Sequence, residues 1–574
     1  MKRLFHYLKP HMFAMIVSTI LVLLIIVVDL YKPIIIANAI DTYLNKDTVG
    51  HMENFNGLVH AAIWYGIMLV AGFVLNTVNN WTLQKMGQNI IYNMRQEVFE
   101  HINSLSLSFF NNTPVGTLVT RVVNDTESIN ELFTSVLTNL FKNGVKIIGY
   151  AVVMIHYSPK MAGISFLMLP VVIVLTLIFR YLSRKAYELV RTRITDLNTY
   201  LSEHLSGMRL IQIFAREERK YAEFEEKSVN LFKANWREIM TFSIFRPVIY
   251  FVSVLATALV LGLGGFFVLD GQITVGLLFL FFTYIGNFFD PIQEFAEQFG
   301  TLQSSLASAE KIFKILDVEP EIKNPQNPTS VEITGRIEFK NVWFAYEEDN
   351  WILKDVSFVI EPGQKVAFVG ATGAGKSTIL NLIGRYFDIQ KGEILIDGVD
   401  IRQIDKDCLR NAIGQVQQDV FVFTGDIKSN ITLGKESIDD RAMREAAHNV
   451  NADSFIEHLP MKYDEPVTER GSTLSTGQRQ LLSFARTLAY DPTILVLDEA
   501  TANIDTETEA LITDALAHLM EGRTTIMVAH RLSTIQHADN IIVMHHGRIR
   551  ESGKHQELLA QEGLYRRLYD LQLV

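Results

Sequence analysis

Six stretches of this chain are apolar over enough residues to exclude most folds before any motif is read. They lie at 12–35, 58–78, 137–155, 161–181, 242–269 and 275–289. A bilayer core takes about 20 residues of helix. Backbone groups in hydrocarbon must bond within their own segment, so such runs are expected to span a membrane as helices. Hydrophobic residues make up 48% of the 574 and charged residues only 20%, and the mean hydropathy is positive. A wholly soluble chain of this length would carry more charge, and a chain this long divides into at least two domains.

Lys and Arg set the orientation. The connection 41–56 has Lys46 as its only Lys or Arg, whereas the segment after the fourth run carries eleven of them from Arg184 to Arg237. That segment is expected in the cytoplasm of a plasma membrane, and six spans then put both termini there. Met1-Lys-Arg-Leu-Phe-His-Tyr-Leu-Lys9 reads as a short interfacial helix without a small-residue cleavage site.

The two cytoplasmic connections, 81–139 and 183–239, keep a helical apolar period and are expected to project beyond the bilayer. The break at Asn111-Asn-Thr-Pro-Val-Gly116 lets the first projection turn back through a short transverse helix near 105–110. In the second, Leu205-Ser-Gly-Met-Arg-Leu-Ile-Gln-Ile-Phe214 is the expected contact segment. Packing of these helices on one another accounts for most of their apolar positions. Within the first run, Asp29 is expensive in a membrane and has two readings, a substrate-facing carboxylate or the partner of Lys32 one turn on.

Asp317-Val-Glu-Pro-Glu-Ile-Lys-Asn-Pro-Gln-Asn-Pro328 marks a boundary. The expected domains are 1–318, helical and membrane-spanning; 319–330, a linker; and 331–574, a soluble α/β domain. In the last, Gly370-Ala-Thr-Gly-Ala-Gly-Lys376-Ser377 fits the phosphate-cradling pattern, with an apolar strand before it and a helical period after it. The glycines let backbone N–H groups turn toward phosphate. Lys376 is then expected on the β and γ phosphates and Ser377 on Mg²⁺. Thr493-Ile-Leu-Val-Leu-Asp498 is a strand delivering a carboxylate, with Glu499 placed to activate water. Tyr346 offers a ring for adenine or is an ordinary strand tyrosine, and His530 ends another apolar run, where a histidine alone is more often structural. The net charge of −11 and the lack of a basic stripe exclude nucleic acid as a partner. Cys408 is the only cysteine, so no disulfide forms within the chain.

Together, the phosphate loop, Gln418 in Gly414-Gln-Val-Gln-Gln-Asp419, Leu474-Ser-Thr-Gly-Gln478, Asp498-Glu499, Asp505 and His530 make the whole chain resemble the ATP-binding cassette exporters. These are half-transporters that fuse a six-helix membrane domain to an α/β P-loop nucleotide-binding domain. The resemblance implies ATP contacts from Tyr346, Gly370, Thr372, Gly373, Ala374, Gly375, Lys376, Ser377, Thr378 and Gln418, and Mg²⁺ held by Ser377, Gln418 and Asp498. It further implies catalysis by Glu499, His530 and Lys376, a D-loop aspartate at Asp505, and a signature of Ser475, Thr476, Gly477 and Gln478 facing the partner chain's ATP. The family has glycine where this chain has Thr476, while Glu499 is intact. That combination resembles the intact-glutamate subunit of heterodimeric multidrug exporters, so a heterodimer is expected ahead of a homodimer. Export of hydrophobic or amphipathic compounds is the expected function. A lipid or peptide exporter is the alternative within the family, and an ATP-gated channel or regulatory membrane ATPase lies outside it.

Overall fold

The computed structural model describes residues 2–44, 51–329, 331–498, 506–528 and 535–572. Two compact units divide the chain, Met1–Asn103 with Val115–Val318, and Ser104–Pro114 with Glu319–Val574.

The first unit is helical. Its helices Met12–Ala39, His51–Ser104, Leu169–Ser206, Glu217–Leu269 and Val275–Phe288 lie in the five described segments long and apolar enough to cross a membrane. The expected run 137–155 is helical within Leu137–Tyr157 but is not among those five. Lys142, Asn143 and Lys146 lower its hydropathy. Three of the helices, of 54, 38 and 53 residues, far exceed what a bilayer needs. The buried seam is aromatic: Phe179 stacks on Phe245 at 3.8 Å, and Tyr150 meets Tyr284 at 5.3 Å. The Tyr284 hydroxyl, buried with its ring, donates to the Leu30 carbonyl at 2.6 Å, as a buried phenol must find an acceptor. Asp29 pairs with Lys32 at 3.1 Å, and also with Lys146 at 2.9 Å.

Short helices interrupt the long ones where the chain breaks its period. Leu107–Asn112 is the first, two residues later than the expected 105–110. It stops at Asn112 because Thr113, ahead of Pro114, takes extended backbone (φ −122°, ψ 115°). Met208–Ile213 is another, and Leu210, Ile213 and Phe214 stand exposed on and beside it.

The second unit is α/β, with strands β1 (Ile337–Ala345), β2 (Trp351–Ile360), β3 (Lys365–Val369), β4 (Lys391–Ile396), β5 (Val399–Asp400), β6 (Ile413–Val416), β7 (Gly425–Asp426), β8 (Pro466–Val467), β9 (Ile494–Asp498), β10 (Thr524–Val528), β11 (Asn540–His545) and β12 (Arg548–Gly553). The main sheet runs β12-β11-β3-β10-β9-β6, parallel throughout except for the β11–β12 hairpin. An antiparallel sheet runs β2-β1-β4-β5. Period-two alternation sorts the main sheet's residues into two cores. Ala367, Val369, Leu495, Leu497, Met527 and Val543 face one core, which is closed by the helix Thr476–Ala489. Val366, Phe368, Val496, Ile526 and Val528 face the other, closed by the helix Lys376–Ile383 and the antiparallel sheet. Strands covered on both faces read as unbroken apolar runs, which is how β3, β9 and β10 appear in the sequence.

Candidate nucleotide site

The phosphate loop joins β3 to the helix Lys376–Ile383. Gly370 is required by proximity, since a Cβ there would stand 2.3 Å from the Met544 carbonyl oxygen. Gly375 is required by conformation. It starts the helix at φ +100°, and no side chain caps that helix, so its first N–H groups are left for an external acceptor. Lys376 is only 6% exposed. Its ammonium donates to Gly370 O at 2.7 Å and Ala371 O at 3.2 Å, which folds the loop around its own cation. Ala374 and Thr378 are buried, whereas Thr372, Gly373 and Ser377 lie open to solvent.

Tyr346, one residue past β1, is 47% exposed. Its ring is held edge-on by Phe344 and Phe387 at 4.8 and 5.0 Å. Its hydroxyl meets Thr378 Oγ1 at 3.3 Å and the Asn381 amide at 3.4 Å. The open face is a stacking surface anchored to the phosphate-loop helix. Asn381 is a partner the sequence reading passed over, although it sits three residues beyond Thr378 on the same helical face.

Asp498 ends β9 in register with Val528 of β10. In the sheet, β10 stands between β9 and the phosphate-loop strand β3. Since β3, β10 and β9 are parallel, all three deliver their C-terminal ends to one edge, where ligands gather in such sheets. Gln418 stands exposed two residues past β6, the strand beside β9. Glu499, Asp505 and His530 lie outside the described residues.

The helix Thr476–Ala489 opens with a capping box. Ser475 Oγ accepts from Gln478 N at 3.2 Å, and Gln478 Oε1 accepts from Ser475 N at 2.9 Å. With its oxygen held as acceptor, the Ser475 hydroxyl keeps its proton to donate outward. Thr476 occupies the first helical position with ordinary helical backbone. Its β-branched side chain adds bulk at an exposed helix start. Its hydroxyl accepts from Arg479 at 3.2 Å, and the same guanidinium bonds Leu474 O at 2.9 Å. Arg479 directly follows the quoted motif, and its reach back by three residues on one helical face was available in the sequence. Further along, Arg486 donates to Asn430 O at 2.8 Å and Phe421 O at 3.2 Å, tying this helix to the loop that follows Gln418. Burial lowers the Arg486 guanidinium from its ordinary value, yet it stays charged at neutral pH.

Long apolar helices joined in one chain to a phosphate-loop α/β unit define an ATP-driven membrane transporter. Residues 15–292 match the ABC transporter transmembrane region and residues 353–502 the ABC transporter domain. The chain is similar to the putative ABC transporter ATP-binding protein exp8 of Streptococcus pneumoniae, at 38% identity across 100% of this chain and 97% of that one. It is 38% identical to the probable multidrug resistance ABC transporter ATP-binding/permease protein YheH of Bacillus subtilis, over 91% of this chain and 78% of the other. The ATP-dependent lipid A-core flippase of Desulfotalea psychrophila is 34% identical, over 100% and 99%. A solved bacterial Atm1-family ABC exporter with ATP bound superposes with a TM-score of 0.83 at 28% identity, covering 99% of each chain. The chain therefore belongs to the ATP-binding cassette transporter family, as an exporter with its transmembrane and ATP-binding domains in one polypeptide that couples ATP hydrolysis to transport. Exporters of this fold act as dimers in a membrane.

Proposed function

We propose that this chain is the hydrolytically competent half of a heterodimeric exporter of hydrophobic or amphipathic compounds, set in a plasma membrane with both termini cytoplasmic. One contrast carries the reading. The phosphate loop is complete and self-organised around Lys376, whereas the signature helix begins with Thr476 where the family pattern has glycine. A chain built this way offers a good phosphate loop and a poorer signature, and it is served best by a partner with the opposite bias. The membrane domain would be 1–318, the linker 319–330 and the nucleotide domain 331–574.

Tyr346 stacks on adenine, and the loop N–H groups with Lys376 hold the phosphates. Ser377, Gln418 and Asp498 offer hydroxyl, amide and carboxylate oxygens, the hard donors that suit Mg²⁺, which would neutralise phosphate charge when bound. Glu499 orients or deprotonates the attacking water, and His530 donates to the γ-phosphate. ATP binding closes the pair of nucleotide domains, with Asp505 at their contact and Ser475 donating to the partner's nucleotide. The transverse helices Leu107–Asn112 and Met208–Ile213 transmit that closure to the spans. The energy comes from the greater affinity of ATP for the closed state.

The multidrug and lipid A-core names among the relatives both fit an amphipathic cargo, and lipid export is the second reading. Purification from the native membrane, followed by subunit mass and ATPase assay with and without any second chain, tests the pairing. A second, non-identical half-transporter of similar mass is expected. Rapid ATP hydrolysis by this chain alone would overturn the heterodimer. Replacing Tyr346 with alanine is expected to weaken ATP binding by about 3- to 10-fold, the worth of one aromatic stack. Tyr346→Phe should restore it, as read by titration with a fluorescent ATP analogue.

A further inference from the structure

Gln418 lies on backbone that is neither strand nor helix, the segment 417–424 between β6 and β7. Val422 roots this segment in the core against Gly471, while Phe421 and Phe423 on either side of it stand exposed. Backbone groups outside a ladder need other partners where they are buried, and here two side chains supply them. Asn430, on the helix Ile427–Thr432 and 1% exposed, accepts from Phe423 N and donates to Phe423 O, both at 2.8 Å. Arg486 donates to Phe421 O at 3.2 Å. The same guanidinium closes on Asn430, donating to its carbonyl at 2.8 Å and to Oδ1 at 3.4 Å.

That guanidinium belongs to the helix Thr476–Ala489, which opens after Ser475. At 1.5 Å per residue, Arg486 stands about 15 Å along it. One turn further, the Tyr490 hydroxyl donates to Thr432 O at 2.9 Å. Arg486 and Tyr490 thus serve two carbonyls in the last turn of Ile427–Thr432, where a helix leaves its carbonyls without internal partners. The two grips differ in reach. Tyr490 holds the end of one helix to the end of another, whereas Arg486 also extends to Phe421, three residues past Gln418. Lysine cannot reproduce this, because one ammonium lacks the fixed planar fork that meets a loop carbonyl and Asn430 together.

We propose that Arg486 is a positioning residue for ATP hydrolysis: its fork fixes the segment from Gln418 to Phe423 to the signature helix and so sets where the Gln418 amide oxygen stands. This rests on the reading of Gln418 as an oxygen donor to Mg²⁺. The helix that opens at Ser475 and the amide of Gln418 then shift together.

The test titrates the complex isolated from its native membrane with a fluorescent ATP analogue, first in EDTA and then against Mg²⁺. Gln418→Ala should raise the half-saturating Mg²⁺ concentration about tenfold, the scale on which losing a ligand's support weakens a metal site. Arg486→Lys should raise it by a similar factor although Gln418 is intact. Binding in EDTA should stay within about twofold of wild type in Arg486→Lys, since the loop around Lys376 and the Tyr346 ring are untouched. Hydrogen exchange across 418–424, read by mass spectrometry, should speed up about tenfold in that variant. Tyr490→Phe removes the neighbouring grip without touching the segment and should leave both readings at wild type. A Mg²⁺ response in Gln418→Ala with none in Arg486→Lys overturns the positioning role and leaves the reading of Gln418 standing. An equal response in Tyr490→Phe overturns it as well, because the effect is then a general loosening between helices. Loss of binding in EDTA assigns Arg486 to the fold instead. No Mg²⁺ response in Gln418→Ala overturns the reading of Gln418 and the proposal with it.

Discussion

Lys376→Met is expected to lower ATP turnover by roughly two to three orders of magnitude, the scale on which removing one preorganised charge from developing phosphate charge acts. The loss has two sources in the geometry. The ammonium is the cation of a nearly closed loop, 6% exposed, and it also holds the Gly370 and Ala371 carbonyls at 2.7 and 3.2 Å. Methionine keeps an unbranched apolar stem, one atom shorter, but leaves both acceptors without that donor and the phosphates without their charge. ATP affinity should fall together with turnover. The helix behind the loop should persist, since Ile379, Leu380, Leu382 and Ile383 bury its apolar face. Circular dichroism of the purified variant checks that second point, and turnover near that of wild type would remove Lys376 from the site.

Glu499→Gln should have a comparable effect on turnover, about 10²- to 10⁴-fold for loss of a positioned general base, with the opposite signature in binding. Glutamine keeps the size and one acceptor oxygen but cannot take the proton of water. ATP should remain bound, and the complex should accumulate with nucleotide trapped. This variant also reports on the pairing. If the partner chain supplies an altered acid, the single substitution removes essentially all hydrolysis by the complex. Persistence of about half the activity would show that a non-identical partner supplies a second working glutamate. Unchanged turnover would dismiss the role of Glu499 altogether.

The phosphate loop was legible because everything that forms it is local. Strand, glycines, lysine and helix fall within 365–383, and each residue's contribution follows from its own backbone freedom or its neighbour three or four places away. The capping box of Ser475 and Gln478 was legible in the same way. The interposed strand β10 was not, because strand order in a parallel sheet is set by how crossover helices pack on both faces. Asp29 illustrates the limit most clearly. Its contact with Lys32 is an i,i+3 relation visible in the chain, while its contact with Lys146, 117 positions away, exists only because two membrane helices pack. The short helix expected near 105–110 lies at Leu107–Asn112, and its end is set locally by the restriction that Pro114 places on Thr113.

Membrane-spanning helices, the phosphate loop, the signature segment and hence the transporter family were written in local pattern, because hydrophobic period, glycine torsion and capping act over a few residues. Tertiary packing alone decided that Tyr346 is anchored to Thr378 and Asn381, that β3, β10 and β9 converge on one edge, and that one carboxylate in the membrane unit is shared by two lysines. Those relations join residues whose separation in the chain carries no information about their distance, and only the burial of both faces of the sheet and of the helix seams brings them together.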